Sequence, residues 1–347
     1  MEENNKVKAV EEFLMVKNKS PNYIQARYYV IRSNIEILEK YYSKGLSQSK
    51  QSIKLYRETT AQLEEFRTLF KRQKNKGKTS EMELHSSILL AKLYIYGPEK
   101  TLKKGLKTLA GLETRFSEKK NKELFITVRK LKMECYRKLN MFIEAAKEIT
   151  ELIKPADLDF HEWTLLNEVG GEFYNTALKF RNQNRNELAD KHAELAIMIY
   201  QKLFLVAANN SLYNKFYTPI QLRLAELYLS TNKTKTAKKI YLDNLEQNPE
   251  SADAIYNLGL ISEKEDNWED ALKTWRRFSD GVKNGSHYWF ESGYHTAKAL
   301  NNLGQTENAC EILNMTIVLH PELRDEKFKT EFTKLKIDIC DNLGRSN

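Results

Sequence analysis

Apolar residues along this chain recur at helical spacing. Between positions 47 and 73, Ile53, Tyr56, Leu63, Phe66 and Phe70 lie three, four or seven apart, which places them on one face of a helix. Comparable stripes cover roughly 3–17 and 22–43, with Ser20-Pro21 as a helix start and Gly45 as a stop. A final amphipathic stretch, about 323–342, would turn Phe328, Phe332, Leu335 and Ile339 inward. Six prolines and thirteen glycines punctuate 347 residues. A strand-and-turn protein needs turn residues about every eight to twelve positions, so long helices are expected throughout.

Between the end stretches, the pattern repeats. Leu224 pairs with Leu258, Ala225 with Gly259, Ala237 with Ala271 and Tyr241 with Trp275, each pair 34 residues apart. Four positions sharing one period mark a repeated supersecondary unit. Ala225 and Gly259 are small where one helix must approach the next, and Ala237 and Ala271 supply the matching small face. Tyr228, Tyr241, Trp268 and Trp275 are bulky fillers between hairpins. Asp266-Asn267 provides a tight polar turn, and Pro249 ends a second helix. A third unit contains Ala297, Leu300, Ala309, Leu313 and Pro321, after about four extra residues around Gly281–Ser286. Looser units are read upstream at Ala91, Tyr94, Gly105 and Leu109 (with a capping box at Ser80 and Glu83), at Met133, Tyr136, Phe142, Ala145 and Pro155, and at Gly170, Phe173, Ala189 and Ala196. The last of these is expected to carry about seven extra loop residues in FRNQNRNE.

These residues resemble the tetratricopeptide repeat, a 34-residue helix–turn–helix unit, and the match is fullest over 218–278. The resemblance implies an all-α fold: a right-handed alpha-alpha superhelix, or TPR-like solenoid, of antiparallel helical hairpins. The expected organisation is an N-terminal helical cap (1–76), irregular hairpins (80–210), well-formed repeats (211–321) and a C-terminal capping helix (322–347). Members of the family commonly hold peptides in the concave groove. Carried over by register, the groove side would present Arg223 and Glu226, then Tyr256, Asn257 and Leu260, then Tyr294, His295 and Lys298. Asn257 fits the family's carboxylate clamp, but Leu222, Glu226, Glu291 and His295 stand at other required places, so no clamp is expected. The chain's own terminal helix is an alternative occupant of that groove.

Charge adds a second surface. Of the net +9, all of the excess lies between Lys100 and Lys138, where thirteen Lys and Arg face four Glu. Lys100, Lys103, Lys104 and Lys107 share a helix face, Lys119 and Lys120 fall in a loop, and Arg129 and Lys130 continue on the next helix. Such a patch suits nucleic acid or an acidic protein surface, or is simply a solvated face. The loop 71–78 adds five positives.

Candidate chemistry is sparse. Gly77-Lys78-Thr79-Ser80 resembles the end of a phosphate loop, but Arg72 stands where the earlier glycine belongs and no strand precedes it. Six histidines form no His-x-x-x-His pair, and Cys-x-x-Cys and Gly-x-Ser-x-Gly are absent. No cofactor is expected, and the function predicted is that of a non-enzymatic scaffold or adaptor binding a protein segment. A nucleic-acid or nucleoprotein subunit acting through 100–138 is the alternative. No apolar run is long enough to span a membrane, and the charged N-terminus reads as no signal peptide. Cys135, Cys310 and Cys340 are too few and scattered for a disulfide framework, which predicts a reducing, cytoplasmic setting.

Overall fold

A computed structural model describes residues 8, 10–72, 81–99, 101–112, 122–321, 323 and 325–343, and among these residues every regular element is helical. After a helical stretch at 10–14 come α1 (Tyr23–Ser43), α2 (Lys50–Arg72), α3 (Glu81–Tyr96), α4 (Leu102–Leu109), α5 (Lys122–Leu139) and α6 (Phe142–Ile153). Then follow α7 (Phe160–Asn182), α8 (Asn186–Asn209), a 3-10 turn at Asn214–Phe216, α9 (Tyr217–Ser230) and α10 (Thr234–Gln247). The chain ends with α11 (Ala252–Lys264), α12 (Trp268–Gly281), α13 (His287–Asn302), α14 (Thr306–Leu319) and α15 (Glu326–Leu343). Two compact units, Met1–Thr176 and Ala177–Asn347, divide the chain. Within the first unit packing runs consecutively from α1 to α6, and within the second from α8 to α15. This is the all-α solenoid class.

One local device recurs at the turns of five hairpins, from α5–α6 to α13–α14. Asn140, Asn184, Asn232, Asp266 and Gly304 all have φ between 55° and 74°. Asn, Asp and Gly tolerate this left-handed region because a short polar side chain, or none, relieves the clash with the backbone. The next residue's N–H then reaches back to a helix carbonyl. Met141 donates to Tyr136, Arg185 to Phe180, Lys233 to Tyr228, Asn267 to Ser262 and Gln305 to Leu300, all at 2.8–2.9 Å. This is the Schellman ending, which satisfies a carbonyl orphaned at the helix terminus.

The left-handed residue fixes a common register. Five positions after it stands a buried alanine in every hairpin: Ala145, Ala189, Ala237, Ala271 and Ala309. Seven positions before it stand Met133, Ala177, Ala225, Gly259 and Ala297, also buried. The expectation for 160–210 is corrected here, because Ala177 and not Gly170 holds the small first-helix position. No loop residues are inserted in FRNQNRNE: α7 runs to Asn182 and α8 begins at Asn186. The extra length lies in the helices themselves, 23 and 24 residues. Asn232 and Asp266 are 34 residues apart and Asp266 and Gly304 are 38 apart, so the period and the four-residue insertion both appear where expected.

Glycine allows close approach at several positions. A Cβ on Gly259 would lie 2.7 Å from Cε2 of Trp275, whose indole is fully buried. Gly105 is similarly crowded, with a Cβ 2.9 Å from Cγ1 of Ile95. In the first unit Ile31, Leu38, Tyr56, Leu63, Phe66, Leu90 and Tyr94 form the core shared by α1, α2 and α3. In the second, Phe328, Phe332 and Ile339 of α15 close the core begun by Trp275, Phe278, Phe290 and Leu300, with Leu335 partly buried against it.

Cys310 of α14 and Cys340 of α15 form a disulfide, their Cα atoms 5.3 Å apart, and Cys135 is free and buried. This corrects the expectation that the cysteines are too scattered to pair. Thirty residues separate the two in sequence, but the return of α15 along α14 brings them together. The helix expected at 3–17 is helical over 10–14 among its described residues. Residues Ser80, Gly77, Lys78 and Thr79, and with them the proposed capping box and phosphate-loop fragment, lie outside the described residues.

Candidate functional site

The first helices of the second unit's last three hairpins, α9, α11 and α13, carry the eight residues expected to face a partner. Tyr256, Asn257 and Leu260 of α11 are half-buried, as are Tyr294, His295 and Lys298 of α13 and Glu226 of α9, while Arg223 is exposed.

At its centre is a carboxylate that the repeat comparison does not flag. Glu263 is only 8% exposed and accepts three hydrogen bonds. Trp275 Nε1 donates to Oε1 at 2.8 Å, His295 Nδ1 lies 2.6 Å from the same oxygen, and Lys298 Nζ donates to Oε2 at 2.8 Å. The His295 ring stacks on the Trp275 indole with centroids 4.3 Å apart and planes within 11°. Lys298 also lies over the Trp268 ring at 5.6 Å. Burial alone would push the Glu263 carboxyl up, but the hydrogen bonds and charge from His295 and Lys298 outweigh it. They hold the carboxyl below the ordinary glutamate value. Its acidic neighbours in SEKED read as a solvated run. The available signal was the spacing: Tyr256, Leu260 and Glu263 are i, i+4 and i+7 on one helix face.

A second carboxylate anchors the adjoining aromatic group. Tyr256 donates to Glu291 Oε2 at 2.8 Å, and Glu291 also lies 3.2 Å from His287 Nε2. Burial, then the bond to Glu291, raises the phenol above its ordinary value. The Tyr256 ring meets Trp275 edge-on at 5.4 Å and contacts Phe278 and Tyr288, the last 51% exposed. On α9, Arg223 donates to the Tyr200 hydroxyl at 2.9 Å and lies over that ring, and its exposed position keeps it at the surface.

Two of the expected groove residues have a different role. Tyr294 packs against Phe328 and Phe332 of α15 at 6.2 and 6.3 Å, so the terminal helix already covers this end of the face. His295 is a strut between Glu263 and Trp275.

In the first unit five cations of the basic window, Lys122, Arg129, Lys130, Arg137 and Lys138, meet carboxylates. Arg129 meets Glu148 at 2.5 Å with both side chains mostly buried, and Lys130 pairs with Glu168. Arg137 and Lys138 share Glu134, and Lys122 bridges Asp159 and Glu162. Glu148, Asp159, Glu162, Glu168 and Glu172, all beyond the window in sequence, thus meet part of its excess of cations. Lys103, Lys104 and Lys107 are exposed on α4, with Lys104 over the Tyr94 ring. Lys100, Lys119 and Lys120 lie outside the described residues. Among the described residues no helix is long and apolar enough to cross a membrane.

A family model for the tetratricopeptide repeat matches residues 291–322, which cover α13 and α14. No curated protein matches this chain. Among solved structures, the chain is similar to one in "Structure of Naa15/Naa10 bound to HypK-THB", at 12% identity and a TM-score of 0.31. That alignment covers 97% of this chain and 54% of the other, so the chain spans about half the length of that protein. It is similar to the P58(IPK) TPR domain at 14% identity and TM-score 0.29, covering 87% and 94% of the two chains. It is similar to the assembly chaperone of RpL4, Acl4, at 11% identity and TM-score 0.28, covering 91% and 97%. The family match identifies α13–α14 as a tetratricopeptide repeat, and the left-handed residue, buried alanine and Schellman bond found there recur in four further hairpins of the chain.

Proposed function

We propose that this chain is a non-catalytic scaffold that holds a segment of a partner protein against the face of α9, α11 and α13. The observation that carries this reading is the fixed arrangement of that face. Glu263 locks Trp275, His295 and Lys298 together, Glu291 locks Tyr256, and half-buried Leu260 and Asn257 lie between them. A surface whose side chains are already held in place loses little conformational entropy when a partner docks, so more of the contact energy becomes affinity. Its mixture of aromatic, apolar and charged groups suits an extended or helical segment with a few apolar anchors.

The pairing of Arg129, Lys130, Arg137 and Lys138 with carboxylates argues against phosphate binding by those residues, because each would have to leave an existing partner. The test is affinity capture with the full chain, read by mass spectrometry, beside Asn257→Ala and Leu260→Lys variants. Both side chains are half-buried and neither bonds Glu263 or Glu291, so the carboxylate anchors stay intact. The expected result is one protein recovered in stoichiometric amount by the native chain and lost from both variants. Equal recovery by all three chains, or recovery of nucleic acid alone, refutes the proposal.

A further inference from the structure

The disulfide joins the two elements that decide how much of the partner-binding face is open. Cys310 lies in the first half of α14, and Cys340 lies near the end of α15. Nearer its start, α15 carries Phe328 and Phe332, which pack on Tyr294, while Phe328 also lies 6.3 Å from Phe290. These two targets belong to α13, the last first-helix of the face. α15 is therefore held by aromatic contacts towards one end and by a covalent bond towards the other.

Both disulfide cysteines are half-buried, unlike Cys135, which is fully closed off from solvent. Beside Cys310 is an open depression of about 610 Å³, lined also by Glu307, Glu311, Asn314, Met315, Val318 and Leu319. Asn314 Nδ2 lies 3.3 Å from the Cys310 sulfur, so it would donate to the thiolate that forms when the bond breaks. By contrast Cys135 is fully buried and its thiol is pushed up to about 12 by burial, then by the Glu134 charge. The three cysteines therefore separate into an accessible pair and an inert single residue.

We infer that Cys310–Cys340 is a reversible thiol–disulfide site that locks α15 over Phe290 and Tyr294, and that a dithiol reductant unlocks it. A thiolate of the reductant attacks one sulfur and the bonding electron pair leaves on the other, which takes a proton from water. The reductant's second thiolate then resolves the mixed disulfide. Two protein thiols and one oxidised dithiol result. Without the cross-link α15 keeps its aromatic contacts but loses the closure of a 30-residue loop, so it opens more often. Opening uncovers Tyr294 and Phe290 and lengthens the apolar part of the face. This regulatory role rests on the scaffold reading above, but the lock itself does not.

The experiment is hydrogen exchange read by mass spectrometry on the full chain, oxidised and after dithiothreitol, with thiol alkylation counted in parallel. The oxidised protein should show no alkylation at 310 and 340, and the reduced protein should show both. Amide exchange over 326–343 should accelerate at least tenfold on reduction, while 217–281 stays unchanged. The Cys310→Ser/Cys340→Ser chain should match the reduced protein with or without reductant. Exchange in α15 that is indifferent to reduction would overturn the lock, as would cysteines that stay alkylatable after treatment with oxidised glutathione. If the lock operates but partner capture does not change with redox state, the scaffold reading of this end of the face fails and the lock stands.

Discussion

Replacing Glu263 with glutamine removes one charge and little volume from the centre of the second unit. The carboxylate accepts from Trp275, His295 and Lys298 at 2.6–2.8 Å, and its side chain is 7% exposed. An amide offers one oxygen, which can keep both Trp275 and His295, since the two already share Oε1. Its NH2 then points at the Lys298 ammonium, donor against donor. A charge-assisted hydrogen bond is worth about 1.5–3 kcal/mol. Lys298 is 39% exposed and regains water when released, which trims the loss, so about 1–3 kcal/mol is expected. Glu263→Leu leaves the fully buried indole N–H with no acceptor and should cost more, about 3–5 kcal/mol.

The assay is urea unfolding followed by tryptophan fluorescence. With a slope of about 2 kcal/mol/M, a loss of 2 kcal/mol moves the midpoint by about 1 M. The pH dependence fixes the cause. The folded-state carboxyl lies below its unfolded value, so between the two values the unfolded chain binds a proton that the folded chain does not. The carboxylate's contribution is therefore complete above about pH 4.3, the ordinary glutamate value, and is lost as pH falls through the folded value. The gap between native chain and Glu263→Gln should close over that range. Equal midpoints at pH 7, or a gap that stays constant down to pH 3, would refute the reasoning.

Other expectations follow from the same geometry. Gly259→Ala gains about 1 kcal/mol of helix propensity but drives a methyl into Trp275, at an overpacking cost of about 1–3 kcal/mol. A net loss near 1 kcal/mol is expected by thermal unfolding, whereas Gly281→Ala, with no atom within 4 Å of its new methyl, should be neutral or better. Arg129→Ala strands Glu148 in a mostly buried pair and should cost about 2–4 kcal/mol. Exposed Lys103→Ala should stay within about 0.5 kcal/mol, and a double-mutant cycle with Glu148 separates the pair energy from lost packing. Phe332→Ala empties a fully buried position under α15 and should cost about 3–5 kcal/mol, seen first as faster amide exchange over 326–343.

Much of the architecture is local and therefore written in the chain. A left-handed turn needs Asn, Asp or Gly, and the second helix needs alanine five residues later. Those requirements act within one hairpin, so they leave a period that can be counted at Asn232, Asp266 and Gly304. At Gly170 the expected register differs from the observed one, and the left-handed turn residue Asn184 sets Ala177 and Ala189 in the common positions. The terminal helix and its inward aromatic residues were legible for the same reason, because amphipathic spacing belongs to a single element.

Contacts between elements were not legible. The charge excess of 100–138 looked like an open patch because the acids that meet it, Glu148, Asp159, Glu162, Glu168 and Glu172, lie outside the window in sequence. Cys310 and Cys340 looked unrelated until the return of α15 placed them together. Glu263 looked solvated because its partners come from α12 and α13, 12 to 35 residues further on. Sequence determined each hairpin, since backbone sterics and side-chain volume act over a few residues. The tertiary structure decided which charges are neutralised, which carboxylate is buried and which cysteines meet. Those outcomes depend on distances of a few ångströms between segments that the chain order keeps apart.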